Sequence, residues 1–383
     1  MRRSVMKEMA PLLTIARGIE SNCITRKQNI TTGATPIMKD MSMGMTDAEL
    51  ERDVSHGYST GVAPWAYWTS EVYSIGKCLR HWTKYPTFLP LFVYSDHGVA
   101  LHSNLLLHEL KSQAEVHLTW NQGKAHENRN LLGKEVLHIM HPWISYRRLR
   151  GIKRTENPKG TLVFFTHGTD DVQWEGHDSA EYFAELKHLP KKFQPVVLCL
   201  HMHDVNAGYH KKLRRYGLPI VTLGNPKSIY FVDRFYDLVS NYSYTTSQNW
   251  GSHVAYCVEF GVPFFYLGDR GKLINISNKN LPDGIVGPYW DKDHERYEKK
   301  AESLFRKPVD SVTDEQRLFV ETALGFDSQL TREQVSWVLW RNFFCCWRQW
   351  APLLKSLITF NLICRQRTHC HESRSGKLGQ GYK

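Results

Sequence analysis

The chain has 383 residues and a mass of 44.6 kDa, which is more than one average domain and predicts two domains with appendages. Hydrophobic residues make up 42% of the chain and charged residues 23%, and these values exclude a disordered, collagenous or coiled-coil protein. The net charge is +11, of which residues 331–383 carry +7 and residues 51–330 only +2. The basic excess therefore belongs to a C-terminal appendage, and we expect no nucleic acid as a partner of the body.

The cysteine pattern and the first residues bear on the compartment. Eight cysteines show neither a C-x-x-C pair nor a regular spacing, so neither a zinc site nor a disulfide framework is indicated. The apolar run near the start is broken by Lys7, Glu8 and Arg17 and is too short for a secretory signal. We expect a cytoplasmic protein whose residues 1–55, which show no sustained period, form a loosely ordered leader.

The first domain, predicted over residues 56–150, alternates short apolar runs with helical patterns. A helix is predicted over 101–113, and strands are predicted at 91–95, 115–120 and 135–140. Strands that alternate with helices are typical of an α/β fold built around a parallel sheet. A basic stretch with glycine and proline at 147–160 then predicts a linker.

The second domain, predicted over residues 151–330, repeats this alternation. Its strands are predicted at 161–166, 195–200, 219–223, 242–246 and 263–268. Its helices are predicted at about 178–189, 207–216, 228–240 and 251–261, with further helical turns over 291–325. Two such units enclose a cleft, and ligands of open α/β sheets bind outside the carboxyl ends of the strands.

A polar turn after the strand at 242–246 predicts an anion site. The chain lacks both the G-x-G-x-x-G and the G-x-x-x-x-G-K-[ST] fingerprints, so the usual dinucleotide and P-loop sites are excluded. Instead, a helix that opens near 247–252 offers N–H groups, hydroxyls and its positive dipole end to a phosphate, with Ser247, Gly251, Ser252 and His253 in its first turn. The alternative is that Ser247 and Ser252 only cap the helix.

Other strand ends carry further polar candidates. His167 and Thr169 follow the strand at 161–166, and we expect them to line the cleft beside a phosphate or ribose. His201 and His203 follow the strand at 195–200 and, on extended backbone, would face the same side. They could then form a metal pair, but no third ligand is evident, so we expect no metal and assign His201 to the nucleotide.

The strand at 91–95 is followed by candidates for proton transfer. A transfer of a group to a hydroxyl needs a base that takes the proton of that hydroxyl. Asp96 is the first choice for this base and His97 the second. The alternative is that Asp96 caps the next helix or organises a turn.

The stretch 242–269, with its polar turn, its helix and its G-x-P step into the next strand, resembles the nucleotide-binding half of GT-B-type glycosyltransferases, particularly those of bacterial capsule and surface-polysaccharide synthesis. The matching residues are Ser247, Gly251, Ser252, His253, Glu259, Gly261 and Pro263. The position of Asp96 is similar to an acidic-residue-then-glycine motif of bacterial GT-B sialyltransferases. The resemblance covers about 160–270 in detail and 56–150 in architecture only.

This resemblance implies two Rossmann-like lobes that face a central cleft and transfer a sugar from a nucleotide-activated donor to a carbohydrate acceptor. Retaining members often carry two glutamates eight residues apart, but the residue eight before Glu259 is Gly251, so an inverting reaction is implied. We expect no cofactor besides the donor and no metal, because a helix end and imidazoles stabilise the leaving phosphate. Two alternatives stay open: a nucleotide-sugar epimerase-like or glycerophosphate-transferring enzyme of the same fold, and a nucleic-acid-binding protein that uses the basic tail.

Residues 334–364 are apolar and rich in tryptophan, with Arg341, Arg348 and Lys355 at intervals of seven. This spacing places the three cations on one face of a helix, and the uncharged runs between them are too short to span a membrane. Two interpretations follow: the helical segment packs on the body, or it lies on the inner face of a membrane as a peripheral anchor. Residues 365–383 are polar and basic, and we expect them to be disordered.

Overall fold

A computed structural model describes residues 43–55 and 68–345, except for 88, 90, 113, 280, 282 and 287–291. Within these residues the protein has a mixed α/β fold with two parallel sheets. The first part of the chain forms, in order, α1 Asp47–Ser55, α2 Ile75–Thr83, β1 Tyr94–Ser95, α3 Leu107–Leu110, β2 Val116–Thr119, α4 Gln122–Leu132, β3 Glu135–His138 and α5 Pro142–Arg150. Its three strands form a parallel sheet in the order β1-β2-β3.

The second part of the chain contains a five-stranded parallel sheet. Its elements are β4 Thr161–Phe164, β5 Val172–Glu175, α6 Ala180–Lys187, β6 Val196–Leu200, α7 Met202–Asn206, α8 Tyr209–Leu213, β7 Ile220–Thr222, α9 Phe231–Val239, β8 Tyr244–Ser247, α10 Ser252–Glu259 and β9 Phe264–Tyr266. The strand order is β7-β6-β4-β8-β9, which is the order of a doubly wound sheet. Every residue of β4, β6, β7 and β8 is buried, as expected where both faces of a sheet are covered.

The remaining elements are a small antiparallel sheet and three helices. They are β10 Lys272–Asn275, β11 Gly284–Val286, α11 Lys292–Phe305, α12 Asp314–Ala323 and α13 Arg332–Cys345. β10 pairs with both β5 and β11. The sequence pattern does not predict β5, β10 and β11 because these strands mix polar and apolar residues, and β5 alternates between half-buried and exposed positions.

All eight strands predicted from the sequence are confirmed, each by an observed strand within or overlapping its range. The predicted helix over 101–113 is wrong for most of its length, since only Leu107–Leu110 is helical. The predicted linker at 147–160 begins too early because α5 continues to Arg150, where Gly151 in the left-handed conformation (φ 63°) ends the helix.

The loosely ordered leader predicted over 1–55 is wrong for residues 47–55, which form α1. This helix packs against β7 and α7, and the N–H of Met45 donates to the carbonyl of Ile220 at 2.7 Å. Ion pairs of Asp47 with Arg214 and of Asp53 with Arg234 hold it to the second part of the chain. The helix offers only two buried apolar residues four positions apart, Leu50 and Val54, which is too little for a sequence pattern. Residues 1–42 of the predicted leader lie outside the described part.

Replacing Leu50 with alanine tests this packing. Leu50 is fully buried in an apolar core shared by both parts of the chain, so we expect the free energy of unfolding to fall by about 2–5 kcal/mol. Met43, which is 85% exposed, provides the control, and Met43→Ala is expected to change it by less than about 0.5 kcal/mol. Equal small effects of both variants in urea unfolding would mean that α1 does not pack as described.

Helix α13 returns to the first sheet. Val335, Val338 and Leu339 join the apolar core that also contains residues of α2 and β2, and Asn342 Nδ2 donates to the carbonyl of Phe92 at 3.3 Å. The interpretation that this segment packs on the body is thus confirmed for its described part, 334–345, and the apolar core of the first sheet includes a helix from far along the chain. Residues 346–364 and the predicted disordered tail 365–383 lie outside the described part. Among the described residues, no helix is both long and apolar enough to cross a bilayer.

Candidate functional site

A cavity of about 380 Å³ lies at the carboxyl ends of the strands of the five-stranded sheet. Starting from β4, the chain adds β6 and β7 on one side of the sheet and then β8 and β9 on the other side. The segments that follow β4 and β8 therefore diverge and leave a crevice. Thr166 follows β4 and Asn249 follows β8, and both line the cavity. Asn249 Nδ2 donates to Thr166 Oγ1 at 3.1 Å, which joins the two segments beside the crevice.

The segment that follows β1 of the first sheet also lines this cavity, through His97 and Gly98. Three hydrogen bonds hold it in place. The N–H of Val99 donates to Ser252 Oγ at 2.8 Å, Trp250 Nε1 donates to the carbonyl of Val99 at 3.1 Å, and Trp120 Nε1 donates to that of Gly98 at 2.9 Å. Segments that follow strands of both parallel sheets are therefore fixed around one cavity.

The lining of the cavity is aromatic and carries no formal charge. Four of its side chains are imidazoles, from His97, His167, His201 and His253. Nine are larger aromatic side chains: Tyr73, Trp143, Phe164, Phe165, Trp174, Phe231, Phe235, Trp250 and Tyr256. Among the described lining residues there is no aspartate, glutamate, lysine or arginine. Such a wall suits a ring-containing ligand whose polar groups meet imidazoles, hydroxyls and backbone amides.

His253 is held in one orientation at the start of α10. Its ring stacks on Phe164 with centroids 4.5 Å apart, and its Nε2 lies 3.0 Å from Ser247 Oγ. The Ser247 hydroxyl donates to the carbonyl of Asn249 at 2.6 Å, so Ser247 Oγ accepts from Nε2–H, and Nδ1 of the imidazole remains the acceptor. Burial and, second, the nearby His167 lower the pKa of His253 to about 3, so the ring is neutral at pH 7.

Gly251 makes room for this imidazole. A Cβ at position 251 would lie 2.7 Å from His253 Cε1 and Nδ1. Gly251 is also the N-cap of α10, and no side chain caps the helix there. The helix begins at Ser252, within the predicted range, but Ser247 is the last residue of β8 and does not lie in the first turn as predicted. Ser252 Oγ accepts the N–H of Val99, so that hydroxyl already serves a contact within the protein.

His167 and His201 form a stacked pair at the ends of β4 and β6. Their ring centroids lie 4.0 Å apart with an interplanar angle of 18°. His201 Nδ1 accepts from the N–H of His203 at 3.3 Å, and its Nε2 lies 3.4 Å from the hydroxyl of Tyr73. Burial, and next the neighbouring His167 and His203, hold the pKa of His201 well below its usual range.

The extended-backbone geometry expected for a His201–His203 metal pair is wrong. β6 ends at Leu200 and His201 is the N-cap of α7, so His203 lies in the first turn of a helix. The two rings stack 5.1 Å apart instead of converging on one point. Within the described residues, no carboxylate or third imidazole joins them in a metal-like group.

Asp96, the first choice for the base, does not reach the cavity. It is 7% exposed, and it accepts from Thr119 Oγ1 at 2.6 Å, from Lys124 Nζ at 2.8 Å and from His117 Nε2 at 3.1 Å. Burial opposes its ionisation, but the Lys124 ammonium and the His117 hydrogen bond outweigh this and hold the pKa of Asp96 well below its usual range. The oxygens of Asp96 are therefore committed to contacts within the protein, whereas the neighbouring His97 lines the cavity.

Asp96, Glu109 and His117 form a buried group whose ligand atoms lie within 4.8 Å of one another. The space between the two carboxylates is taken by the Lys124 ammonium, which hydrogen-bonds to Asp96 and to Glu109. A metal ion there would meet this positive charge at close range. The residues therefore do not fit a metal, and the group acts as a buried ion-pair network.

Two other predicted residues also lie away from the cavity. Glu259 is the last residue of α10, at the opposite end of the helix from Ser252. Its Oε1 accepts from Arg147 Nη2 at 2.6 Å and from Arg148 Nη2 at 3.3 Å. It joins α10 to α5, and it is not brought together with the other predicted site residues at the cavity. Thr169 Oγ1 accepts the N–H groups of Asp171 and Val172, so it closes a local turn outside the cavity lining.

The sequence pattern did not predict a set of hydrogen bonds that leads from the cavity wall to the buried His141. Tyr256 Oη lies 2.9 Å from His141 Nε2, and His141 Nδ1 accepts the N–H of Trp143 at 3.2 Å. Tyr73, which also lines the cavity, was not predicted either. Its backbone is left-handed (φ 54°), which is rare for a bulky residue and marks a constrained position. The His141-Pro142 pair was the visible signal for these hydrogen bonds, and nothing local in the sequence signals Tyr73.

Comparison with protein-family models, with curated proteins and with solved structures finds no match for this chain.

Proposed function

We propose that this protein is a glycosyltransferase that moves a sugar from a nucleotide-activated donor to a carbohydrate acceptor in polysaccharide synthesis, with two Rossmann-like lobes in a GT-B-like arrangement. The observation that carries the proposal is the cavity at the switch point of the five-stranded sheet, which the segment after β1 of the other sheet also lines. A donor held by one sheet and a catalytic group delivered by the other suit a two-substrate transfer.

The donor would bind at the ends of β4 and β8. The aromatic walls offer flat faces for a nucleobase, and Trp250 or Tyr73 would stack on it. The phosphate would lie at the start of α10, where Gly251 leaves the helix without a side-chain cap and the dipole favours an anion. Imidazole N–H groups of His167 and His201 would donate to its remaining oxygens.

His97 would be the base of an inverting reaction. The acceptor hydroxyl oxygen forms a bond to the anomeric carbon, the bond from that carbon to the phosphate oxygen breaks, and the hydroxyl proton passes to the imidazole. Burial and, second, the neighbouring His108 lower the pKa of His97 to about 4, so the ring is neutral and able to accept a proton at pH 7. An anionic donor beside it would raise this pKa and make the ring a stronger base.

The proposed reaction uses no metal. Mg²⁺ prefers carboxylate and carbonyl oxygens, and the described residues of the lining include no carboxylate. The developing charge on the leaving phosphate would instead be stabilised by the start of α10 and by imidazole donors.

A thermal-shift screen of UDP, CMP, CDP and GDP tests the donor site. We expect one nucleotide to stabilise the protein by about 2.7 kcal/mol at a hundred times its Kd. His253→Ala removes the ring beside the start of α10, so the stabilisation should fall strongly. Thr169→Ala is the matched control from outside the lining and should keep it. No stabilisation by any nucleotide, or a loss confined to Thr169→Ala, would contradict the donor site.

Assays with intact donors separate transfer from the same-fold alternatives. Release of nucleotide that depends on a carbohydrate acceptor supports glycosyl transfer. Epimerisation of the sugar without an acceptor, or activity confined to CDP-glycerol, would contradict it and point to the corresponding alternative.

A further inference from the structure

We propose that His141 is a positioning residue that keeps one hydroxyl hydrogen, on Tyr256 or on Ser252, available in the cavity as a donor to an oxygen of the ligand. Both hydroxyl residues line the cavity, whereas His141 lies behind it and is fully buried. The directions of the hydrogen bonds around these three residues carry this assignment. It rests on the proposed function for the class of the ligand, a nucleotide whose phosphate oxygens accept hydrogen bonds.

The backbone of α5 fixes the tautomer of His141. His141 is the N-cap of this helix, and its Nδ1 accepts the backbone N–H of Trp143 at 3.2 Å. Burial lowers the pKa of His141 to about 3, so the ring is neutral at pH 7 and carries a single N–H hydrogen. Because a backbone N–H can only donate, that hydrogen stands on Nε2.

Tyr256 therefore accepts from His141 and does not donate to it. Its Oη lies 2.9 Å from His141 Nε2, and burial raises the pKa of the hydroxyl, which stays protonated. The ring of Tyr256 is held in place because it stacks on Trp143, with centroids 4.4 Å apart and an interplanar angle of 28°. The hydrogen of the Tyr256 hydroxyl needs an acceptor on another side.

Ser252 cannot take up this hydrogen without releasing its own. The Ser252 hydroxyl interacts with that of Tyr256, and its Oγ already accepts the N–H of Val99 at 2.8 Å. Two hydroxyl hydrogens are thus present, and at most one of them can lie between the two oxygens. Within the described residues neither hydroxyl donates to a further acceptor, so at least one hydrogen is left for a ligand.

The remaining hydrogen stands near the start of α10, where the helix has no side-chain cap. A buried donor without an acceptor costs free energy, and a ligand oxygen relieves this cost. A phosphate oxygen suits the position because hydrogen bonds to charged acceptors are the stronger ones. With the other tautomer of His141, Nε2 would take the hydrogen of Tyr256, and the Ser252 hydroxyl could donate to Tyr256 Oη. No donor would then remain for the ligand.

Calorimetric titration with UDP, CMP, CDP, GDP and inorganic pyrophosphate tests the assignment. For the probe that binds the wild type, at least one of Tyr256→Phe and Ser252→Ala should raise Kd by about tenfold to a hundredfold, because a hydrogen bond to a charged group is lost. His141→Leu should raise Kd by about twofold to tenfold. His141→Gln should restore most of the affinity, because its amide N–H can take the place of Nε2–H.

The matched control is Tyr146→Phe, which removes another buried tyrosine hydroxyl from outside the lining and should bind like the wild type. Thermal denaturation without nucleotide checks that each variant is folded. Nitrogen-15 NMR of the histidine-labelled wild type gives the tautomer directly. The Nδ1 signal that disappears in His141→Gln should be that of an unprotonated nitrogen, and a protonated Nδ1 would overturn the assignment.

The binding results separate this assignment from the proposed function. Unchanged Kd values in both Tyr256→Phe and Ser252→Ala, or equal losses in His141→Leu and His141→Gln, would overturn the role of His141 and leave the proposed function intact. Binding that depends on these residues, of a nucleotide whose sugar conjugates support no transfer, would contradict the proposed function alone. Absence of binding by every probe would contradict both.

Discussion

Replacing His97 with alanine is expected to lower kcat for glycosyl transfer by about a hundredfold to ten-thousandfold, the usual contribution of a positioned general base. His97 lines the cavity from the segment that follows β1, and this segment is clamped to the start of α10 through Val99. The base is thereby held beside the place proposed for the donor. Donor binding in the thermal-shift assay should change little, since the phosphate contacts lie on the other sheet.

The pH profile gives a second readout. An imidazole accepts a proton only when it is neutral, so activity is retained above the pKa of His97 and lost as the pH falls below it. That pKa is lowered to about 4, first by burial and then by His108, so kcat/KM should stay level through neutral pH and fall only near pH 4. In the complex with an anionic donor the pKa rises, so the acid limb of kcat should lie at a higher pH than that of kcat/KM.

One control variant and a rescue experiment make the assignment falsifiable. His188→Ala removes an exposed imidazole at the end of α6 and should leave kcat unchanged. Added imidazole should restore part of the activity of His97→Ala, because it fills the space of the missing ring. Full activity of His97→Ala, or a loss that imidazole cannot rescue and that coincides with weaker donor binding, would remove His97 from the role of base.

The strands of the two parallel sheets were predictable because a strand buried on both faces is a short apolar run, as in VVLCL of β6. β5, β10 and β11 were not, since each mixes polar and apolar residues and is defined by pairing with distant segments. Helix α1 was missed for a related reason. Its stability comes from burying Leu50 and Val54 against β7 and α7, and neither partner is visible from residues 47–55 alone.

The site was predictable as far as the sheet topology determines which residues come together. The carboxyl ends of parallel strands share one edge of a sheet, so His167, His201 and Ser247 meet at one cavity although they are far apart in the chain. The predicted residues that lie away from the cavity are those whose side chains point elsewhere. Asp96 and His97 are neighbours that face different surroundings, and Glu259 lies about 10 Å along α10 from Ser252, at a rise of about 1.5 Å per residue. The separation of Asp96 from His97 does not follow from the strand pattern, whereas that of Glu259 from Ser252 follows from the helix predicted over 251–261.

Replacing Lys124 with methionine is expected to lower the free energy of unfolding at pH 8 by about 3–5 kcal/mol, because it leaves two buried carboxylates without their cation. The Lys124 ammonium lies 2.8 Å from Asp96 Oδ1 and also hydrogen-bonds to Glu109. All three residues are at most 7% exposed, so water does not replace the lost charge. Lys111→Met, at an exposed position, is the control and should change the free energy by less than about 0.5 kcal/mol.

The effect of Lys124→Met should grow with pH. In the wild type, burial and next the Asp96 charge raise the pKa of Glu109 to about 7, so the stability that this group contributes is present below its ordinary pKa and is lost as the pH rises through about 7. Asp96 behaves oppositely, because its pKa is lowered and its contribution is lost only when the pH falls through that lowered value. Without the ammonium both carboxyl pKa values rise, so the folded variant binds protons and suffers least near pH 5.

Urea unfolding at pH 5 and pH 8 should therefore show a larger gap between wild type and Lys124→Met at pH 8. The double variant Glu109→Gln/Lys124→Met should recover part of the loss, because one of the two charges is removed and Asp96 keeps its hydrogen bonds from Thr119 and His117. A gap that is the same at both pH values would contradict the buried ion-pair network. So would a double variant no more stable than Lys124→Met, since the destabilisation would then come from packing rather than from two uncompensated charges beneath the segment that carries His97.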